Sequence, residues 1–205
     1  MWLIGLTGGI GSGKSSVASW FRERKVPILD ADAMVRHLLQ EDAETISLIR
    51  DAFGPETVAA DGQVERRKLG RIVFQDGEAR RALEKIVHPR IEKVRLQELK
   101  ALEELGQSVA IWDVPLLFEN NLQKQVQETL LVWIPLEVQI ARVQSRDGLN
   151  REEVMARIKA QMSLSAKAEL ADVMIDNSGA WANTEQQLSE YWQSLETRNL
   201  VGNRA

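Results

Sequence analysis

The chain has 205 residues, of which 44% are hydrophobic and 27% charged, the usage of an ordinary folded globule rather than of a disordered chain. It contains no cysteine, which excludes a disulfide scaffold, a thiolate zinc site and a cysteine nucleophile. Twenty-six Lys/Arg against thirty Asp/Glu give a formal charge of −4, which argues against a general nucleic-acid binder, and no stretch approaches the ~18 apolar residues that a bilayer span needs.

Taken in chain order, Trp2-Leu-Ile-Gly-Leu6 is a short apolar run closed by glycines, the pattern of a buried strand. Helical spacing follows over about 14–24. A second strand is predicted at Pro27-Ile-Leu-Asp30, then helical segments over 32–53 and 65–105. Strands return at Val109–Asp113 and Thr129–Ile134, helical spacing over 136–170, a last strand at Val173–Ile175 and a last helix over 180–197. Five buried strands separated by helices imply a doubly wound α/β domain with a parallel sheet. The tail 199–205 is expected to fray. Most of the six tryptophans are expected in the core.

Two intervals are too long for simple crossovers. Residues 62–104 carry eleven Lys/Arg against eight Asp/Glu, and residues 142–167 carry six against three, although the whole chain is acidic. Basic inserts on an acidic body suit an anionic ligand; solvated helix faces would give the same counts.

The sharpest local signal is Gly8-Gly-Ile-Gly-Ser-Gly-Lys-Ser15, a G-x-x-x-x-G-K-[ST] loop between a predicted strand and a predicted helix. Gly8, Gly9, Gly11, Ser12 and Gly13 would let backbone N–H groups converge on a phosphate at the helix N-terminus. Lys14 would reach the β- and γ-phosphates, Ser15 would ligate Mg²⁺, and Ser16 would sit beside it in the first helical turn. A dinucleotide fingerprint fits less well, because its third glycine is replaced by Lys14. The loop therefore predicts a nucleoside triphosphate ligand. The chain has no Asn-Lys-x-Asp guanine-reading tetrapeptide and no LSGGQ-like segment.

A small-molecule kinase needs an acceptor base and a cationic lid that keeps water from the γ-phosphate. Asp32 follows the second strand, where ligands bind in open α/β sheets, and could orient an acceptor hydroxyl; it could equally cap the next helix. Asp113 ends the third strand as a Mg²⁺-associated acid would, acting through water, or stands there as a satisfied strand-end carboxylate. Arg142 and Arg146 are spaced i, i+4 and so share a helix face, as lid arginines or as surface decoration. Asn150 with Glu153 forms a capping-box pattern. Two histidines, His37 and His88, are too few for a metal cluster, and His88 before Pro89 is expected to mark a helix boundary.

The combination resembles the dephospho-CoA kinase family, the last enzymes of coenzyme A synthesis. The resemblance rests on Gly5-Leu-Thr-Gly-Gly-Ile-Gly-Ser-Gly-Lys-Ser15 with Asp30-Ala-Asp32, Arg66-x-x-Leu69 running to Ile72-Val-Phe74, and Leu83-Glu-x-Ile-Val-His-Pro89. It continues through Asp113-Val-Pro-Leu-Leu-Phe-Glu119, Gln139-x-x-Arg142-x-x-x-Arg146, Ala156-Arg-Ile-x-x-Gln161, Ala171-Asp172 and Ile175-Asp-Asn-Ser-Gly179. It implies a P-loop nucleoside triphosphate hydrolase-like fold in one unit over 1–205. The core would span about 1–31, 106–135 and 171–198, with a helical CoA-binding insert over 32–105 and a lid over 136–170.

The implied reaction is ATP-dependent phosphorylation of the ribose 3′-hydroxyl of dephospho-CoA, with Mg²⁺ as cofactor and the cytoplasm as setting. Lys14, Asp32 and Arg142 would be catalytic, and Arg146 and Asn177 would join the loop in binding ATP. Arg66, His88, Pro89, Asp113 and Leu116 would border the acceptor. No nucleic-acid or membrane partner is implied, and a monomer or weak homo-oligomer is expected. Ser16 departs from the threonine common in the family pattern but keeps the hydroxyl. A kinase for another acceptor, such as a nucleoside monophosphate, and a non-catalytic ATP-binding regulator are the competing readings.

Overall fold

The computed structural model describes residues 1–201. They form two compact units, one built from Met1–Leu29 and the chain from Leu102 on, the other from Asp30–Ala101.

The first unit carries a five-stranded sheet in the order β2-β3-β1-β4-β5, from β1 (Trp2–Gly8), β2 (Ile28–Asp30), β3 (Val109–Asp113), β4 (Glu128–Trp133) and β5 (Val173–Asp176). β1 lies parallel to β3 on one side and to β4 on the other, with Leu6 opposite both Asp113 and Leu130. At the edge, Ile111 N–H donates to the Pro27 carbonyl at 2.9 Å. Strands this apolar form because both faces are covered by helices. On one face Ile4, Leu6, Ile111, Leu130 and Val132 meet Val17, Trp20 and Phe21 of α1 (Lys14–Glu23) and Leu188 and Leu195 of α9 (Trp181–Thr197). On the other, Leu131 and Ile134 pack on Leu164 of α8 (Leu164–Ala168). Each such fully buried side chain contributes about 1.5–3 kcal/mol. The doubly wound parallel sheet expected from the apolar runs is present.

Between β4 and β5 lie α6 (Leu136–Asp147), α7 (Arg151–Lys159) and α8. The capping box read at Asn150 is formed: its side chain accepts from Glu153 N–H while Glu153 accepts from Asn150 N–H, both at 2.9 Å.

The second unit holds α2 (Ala31–Glu41), α3 (Ala43–Phe53), α4 (Arg66–Gln75) and most of α5 (Gly77–Glu104), around Leu39, Ile49, Val64 and Leu69. The helical run 32–53 is broken at Asp42, whose carboxylate accepts from Thr45 N–H at 2.8 Å and starts α3.

Two expectations are corrected. Pro89 does not mark a boundary; it lies inside the 28-residue α5. A proline inside a helix removes one backbone hydrogen bond. The carbonyl deprived of its donor is that of Lys85, four residues back; the Arg90 guanidinium donates to the next one, Ile86, at 3.0 Å. Nor does the tail leave the core at Asn199. Asn199 takes a positive φ of 56°, Leu200 N–H donates to the Leu195 carbonyl at 3.0 Å, and Leu200 and Val201 pack on the sheet core. The rest of the expected frayed tail, 202–205, lies outside the described residues. Of the tryptophans, Trp20 and Trp112 are buried, whereas Trp181 is exposed.

Candidate active site

The glycine loop leaves β1 at Gly8 and enters α1 at Lys14. Gly13, at the N-cap, has φ 88° and offers no side chain to the first helical turn, which also lacks acidic residues. The orphan N–H groups there face an anion-binding position instead of a capping side chain. Glycine is required at Gly11 and Gly13 for a second reason besides their positive φ. A Cβ on Gly11 would lie 2.7 Å from Val143 Cγ2, and one on Gly13 would collide with the Asn177 amide. The loop is thus pressed from behind as well as open in front.

Its back is held by hydrogen bonds. Ile10 is gripped on both sides: its N–H donates to Gln161 Oε1 at 3.1 Å, and its carbonyl accepts from Gln139 Nε2 at 2.8 Å. The Ser12 carbonyl accepts from Asn177 Nδ2 at 2.7 Å, and the Asn177 carbonyl accepts from Arg142 at 2.9 Å. Thr184 donates its hydroxyl to Asn177 Oδ1 at 2.9 Å. Gln139, Arg142 and Val143 stand at i, i+3 and i+4 on α6, so one helix face supplies three of these contacts. The Ser12 hydroxyl is buried without a hydrogen-bond partner among the described residues.

In front of this scaffold Lys14 makes an ion pair with Asp113, the last residue of β3. Ser15 and Ser16 are exposed in the first turn of α1, and Leu116 is exposed in the turn after Asp113. The structure therefore brings the loop, Lys14, Asp113, Arg142 and Asn177 together. Arg146 is different: it is exposed and forks onto Asp147 at 2.7 and 3.0 Å, which also receives Arg157 at 2.9 Å. The hydrogen bond from Arg146 holds the Asp147 carboxyl below its ordinary range. Arg151 pairs with Glu137 in the same exposed manner.

In the second unit Asp32 is the second residue of α2 and exposed, and it is not the cap. That role belongs to Asp30, whose carboxylate accepts from Ala33 N–H at 2.8 Å. Arg66 opens α4, and His88 and Pro89 lie exposed along α5.

Known proteins carry the same pattern. The family model described as dephospho-CoA kinase matches residues 2–183. A dephospho-CoA kinase of Symbiobacterium thermophilum is 44% identical over 194 residues, 95% of this chain and 81% of that protein. The chain belongs to the dephospho-CoA kinase family. A crystal structure of TT1252 from Thermus thermophilus superposes with a TM-score of 0.82 at 39% identity, covering 95% of this chain and 97% of that one. Dephospho-CoA kinase from Campylobacter jejuni gives 0.72 at 26% identity, covering 96% and 98%. The chain is thus a kinase with a P-loop kinase fold, and no helix among the described residues is long and apolar enough to cross a membrane.

Several residues of this candidate site carry little local signal in the sequence. Gln139 and Gln161 sit inside family motifs, but nothing local shows that both hold Ile10. Lys167 left a faint trace, being three residues after Leu164 on the apolar side of α8, yet it is fully buried at 0% exposure. Burial lowers the affinity of its ammonium for the proton, an effect opposed by Glu119 and reinforced by Lys14.

Proposed function

We propose that this chain transfers the γ-phosphoryl group of ATP to the ribose 3′-hydroxyl of dephospho-CoA, giving coenzyme A and ADP. The observation that carries the reading is the uncapped N-terminus of α1 behind a glycine loop, with Lys14 and Asp113 beside it. Gly8, Gly9, Gly11, Ser12 and Gly13 cradle the phosphates, and Ser15 and Ser16 complete the first turn around them. Lys14 exchanges its Asp113 partner for the β- and γ-phosphate oxygens, where a fixed ammonium stabilises charge developing in transfer. Arg142 contributes a second, always-charged group from α6, and Arg146 extends that row outward. Asn177 anchors the Ser12 carbonyl and so fixes the loop that receives ATP.

Asp32 is the acceptor base. Its exposed carboxylate accepts a hydrogen bond from the 3′-hydroxyl and takes the proton as the oxygen–phosphorus bond forms and ADP leaves. Arg66, His88, Pro89, Asp113 and Leu116 are assigned to the acceptor, and residues 32–105 to a CoA-binding insert, with 136–170 as the lid. The basic excess over 62–104 supports that assignment.

Magnesium fits the donors present. Ser15 offers an exposed hydroxyl and Asp113 one carboxylate, an all-oxygen set. That suits an ion that keeps its waters and is held largely by substrate phosphates. Bound there, it would neutralise charge on the β- and γ-phosphate oxygens. Use of ATP as donor supports a cytoplasmic setting.

The test is product analysis by mass spectrometry after mixing the protein with Mg²⁺-ATP and a panel of acceptors. Coenzyme A and ADP should form one for one from dephospho-CoA. ADP formation with a nucleoside monophosphate instead would reject the acceptor, and ATP binding without any product would leave only a nucleotide-binding regulator.

A further inference from the structure

Lys167 is a buried ammonium that the phosphoryl-transfer scheme does not use. Its Nζ has three donors and three acceptors: the Pro115 carbonyl at 2.8 Å, the Glu119 carboxylate at 3.0 Å and the Gly8 carbonyl at 3.2 Å. These partners lie on different chain segments. Gly8 is where β1 becomes the phosphate loop, and Pro115 is two residues beyond Asp113. Glu119 Oε1 also accepts from Met162 N–H at 2.9 Å, so the segment before α8 joins the same knot. The Pro115 carbonyl accepts in addition from the Thr7 hydroxyl at 3.1 Å.

We infer that Lys167 is a positioning residue for phosphoryl transfer, a latch that fixes the mouth of the phosphate loop against the strand end carrying Asp113. The inference rests on the reading of that loop as the ATP site. A lysine buried without partners would be neutral or would unfold its surroundings; one with every donor satisfied is held in a single geometry. Here that geometry spans both rims of the site, so the spacing between Lys14 and Asp113 is set through the ammonium 159 residues along the chain from Gly8. Misplacement of reacting groups by ~1 Å can lower a rate by about 100-fold while barely touching binding. A lysine serving stability alone would not show that split.

The experiment compares steady-state kinetics and ATP affinity of Lys167→Met with the parent enzyme. Methionine keeps the unbranched bulk and removes charge and donors. The expected result is a kcat about 10- to 100-fold lower, with the ATP dissociation constant and the KM for dephospho-CoA within about threefold of the parent. Tyr191→Phe is the control for stability, since it removes a buried hydrogen bond to Glu128 of 2.6 Å and touches no part of the loop. It should lower Tm and leave kcat unchanged.

Because removing one partner of a buried pair can unfold a protein, Glu119→Gln provides a second variant. It retains an acceptor for Lys167 and Met162 but weakens the pair. Its kcat should fall about three- to tenfold, and if Lys167→Met yields no folded protein this variant decides alone. Folded Lys167→Met, or Glu119→Gln in its place, with kcat within twofold of the parent overturns the inference, as does a loss confined to ATP affinity. Lys14→Ala separates the two layers. If it too keeps the parent kcat, the phosphate-loop reading has failed; if it is inactive while the Lys167 variant is not, only the latch has.

Discussion

The back of the phosphate loop and the acceptor candidates in residues 30–101 are built in opposite ways. Behind the loop the long polar side chains are tied down. Gln139, Gln161, Asn177, Arg142 and Lys167 each hold backbone carbonyls or N–H groups, directly or through one intermediary. In the unit of residues 30–101, Asp32, Arg66 and His88 are exposed, and their side chains have no hydrogen bond or ion pair to another described residue. The proposed division of work accounts for the difference. A site that stabilises charge on a phosphoryl group gains from donors fixed before the substrate arrives. Groups that recognise a large acceptor can stay solvated until it binds, at the cost of ordering them then.

Mutations should break that contrast in graded steps. Lys14→Ala carries the largest expected effect, a fall in kcat/KM of about 1,000-fold or more with an unchanged near-ultraviolet circular dichroism spectrum. Asp32→Asn should lower kcat about 100- to 10,000-fold while ATP affinity, measured by calorimetry, stays within about threefold. A parental kcat would remove Asp32 from the chemistry, and because Asp30 holds the cap, no loss of helix α2 can be blamed for a lower one.

Arg142 and Arg146 on α6 should differ in the size of their effect. Arg142→Ala should cost about 10- to 100-fold in kcat/KM, because it combines charge with the bond to Asn177. Arg146→Ala, whose guanidinium rests on exposed Asp147, should cost less than about threefold.

The smallest effect concerns stability. Asp42→Ala removes the N-cap of α3 and should lower unfolding free energy in urea by about 1 kcal/mol at pH 7. The Asp42 carboxyl is held below its ordinary value of 3.8, chiefly by the Thr45 hydroxyl. A carboxylate with a lowered folded pKa stabilises above the unfolded value and loses that contribution as pH falls through the folded one. The gap between parent and variant should therefore close below about pH 3.8 and not at neutral pH.

Much of the fold was legible because its signals are local. The run Trp2–Leu6, the glycines that follow and the helical spacing after Lys14 specify strand, loop and helix within about 25 residues. Asn150 with Glu153 announced a cap that formed as read. Local rules failed where neighbours or the tertiary context decide. Pro89 signals a break, but α5 runs through it from Gly77 to Glu104. Asp32 has the chemistry of a cap, but Asp30 stands two residues earlier and takes the role. Leu200 and Val201 look like a polar chain's loose end until the sheet core that receives them is in place. The clamp on the loop was least legible. Gln139, Gln161 and Lys167 meet residues 129, 151 and 159 positions away, and no spacing rule reaches that far.

On the proposed reading, ATP is held by the loop unit and the acceptor by residues 30–101. Amide hydrogen exchange of the full chain, followed by mass spectrometry with each substrate alone, tests it most directly. A non-hydrolysable ATP analogue with Mg²⁺ should slow exchange across Gly8–Val17, and dephospho-CoA should slow it within 30–101. An ATP analogue that protects 30–101 and leaves Gly8–Val17 unchanged would overturn that reading.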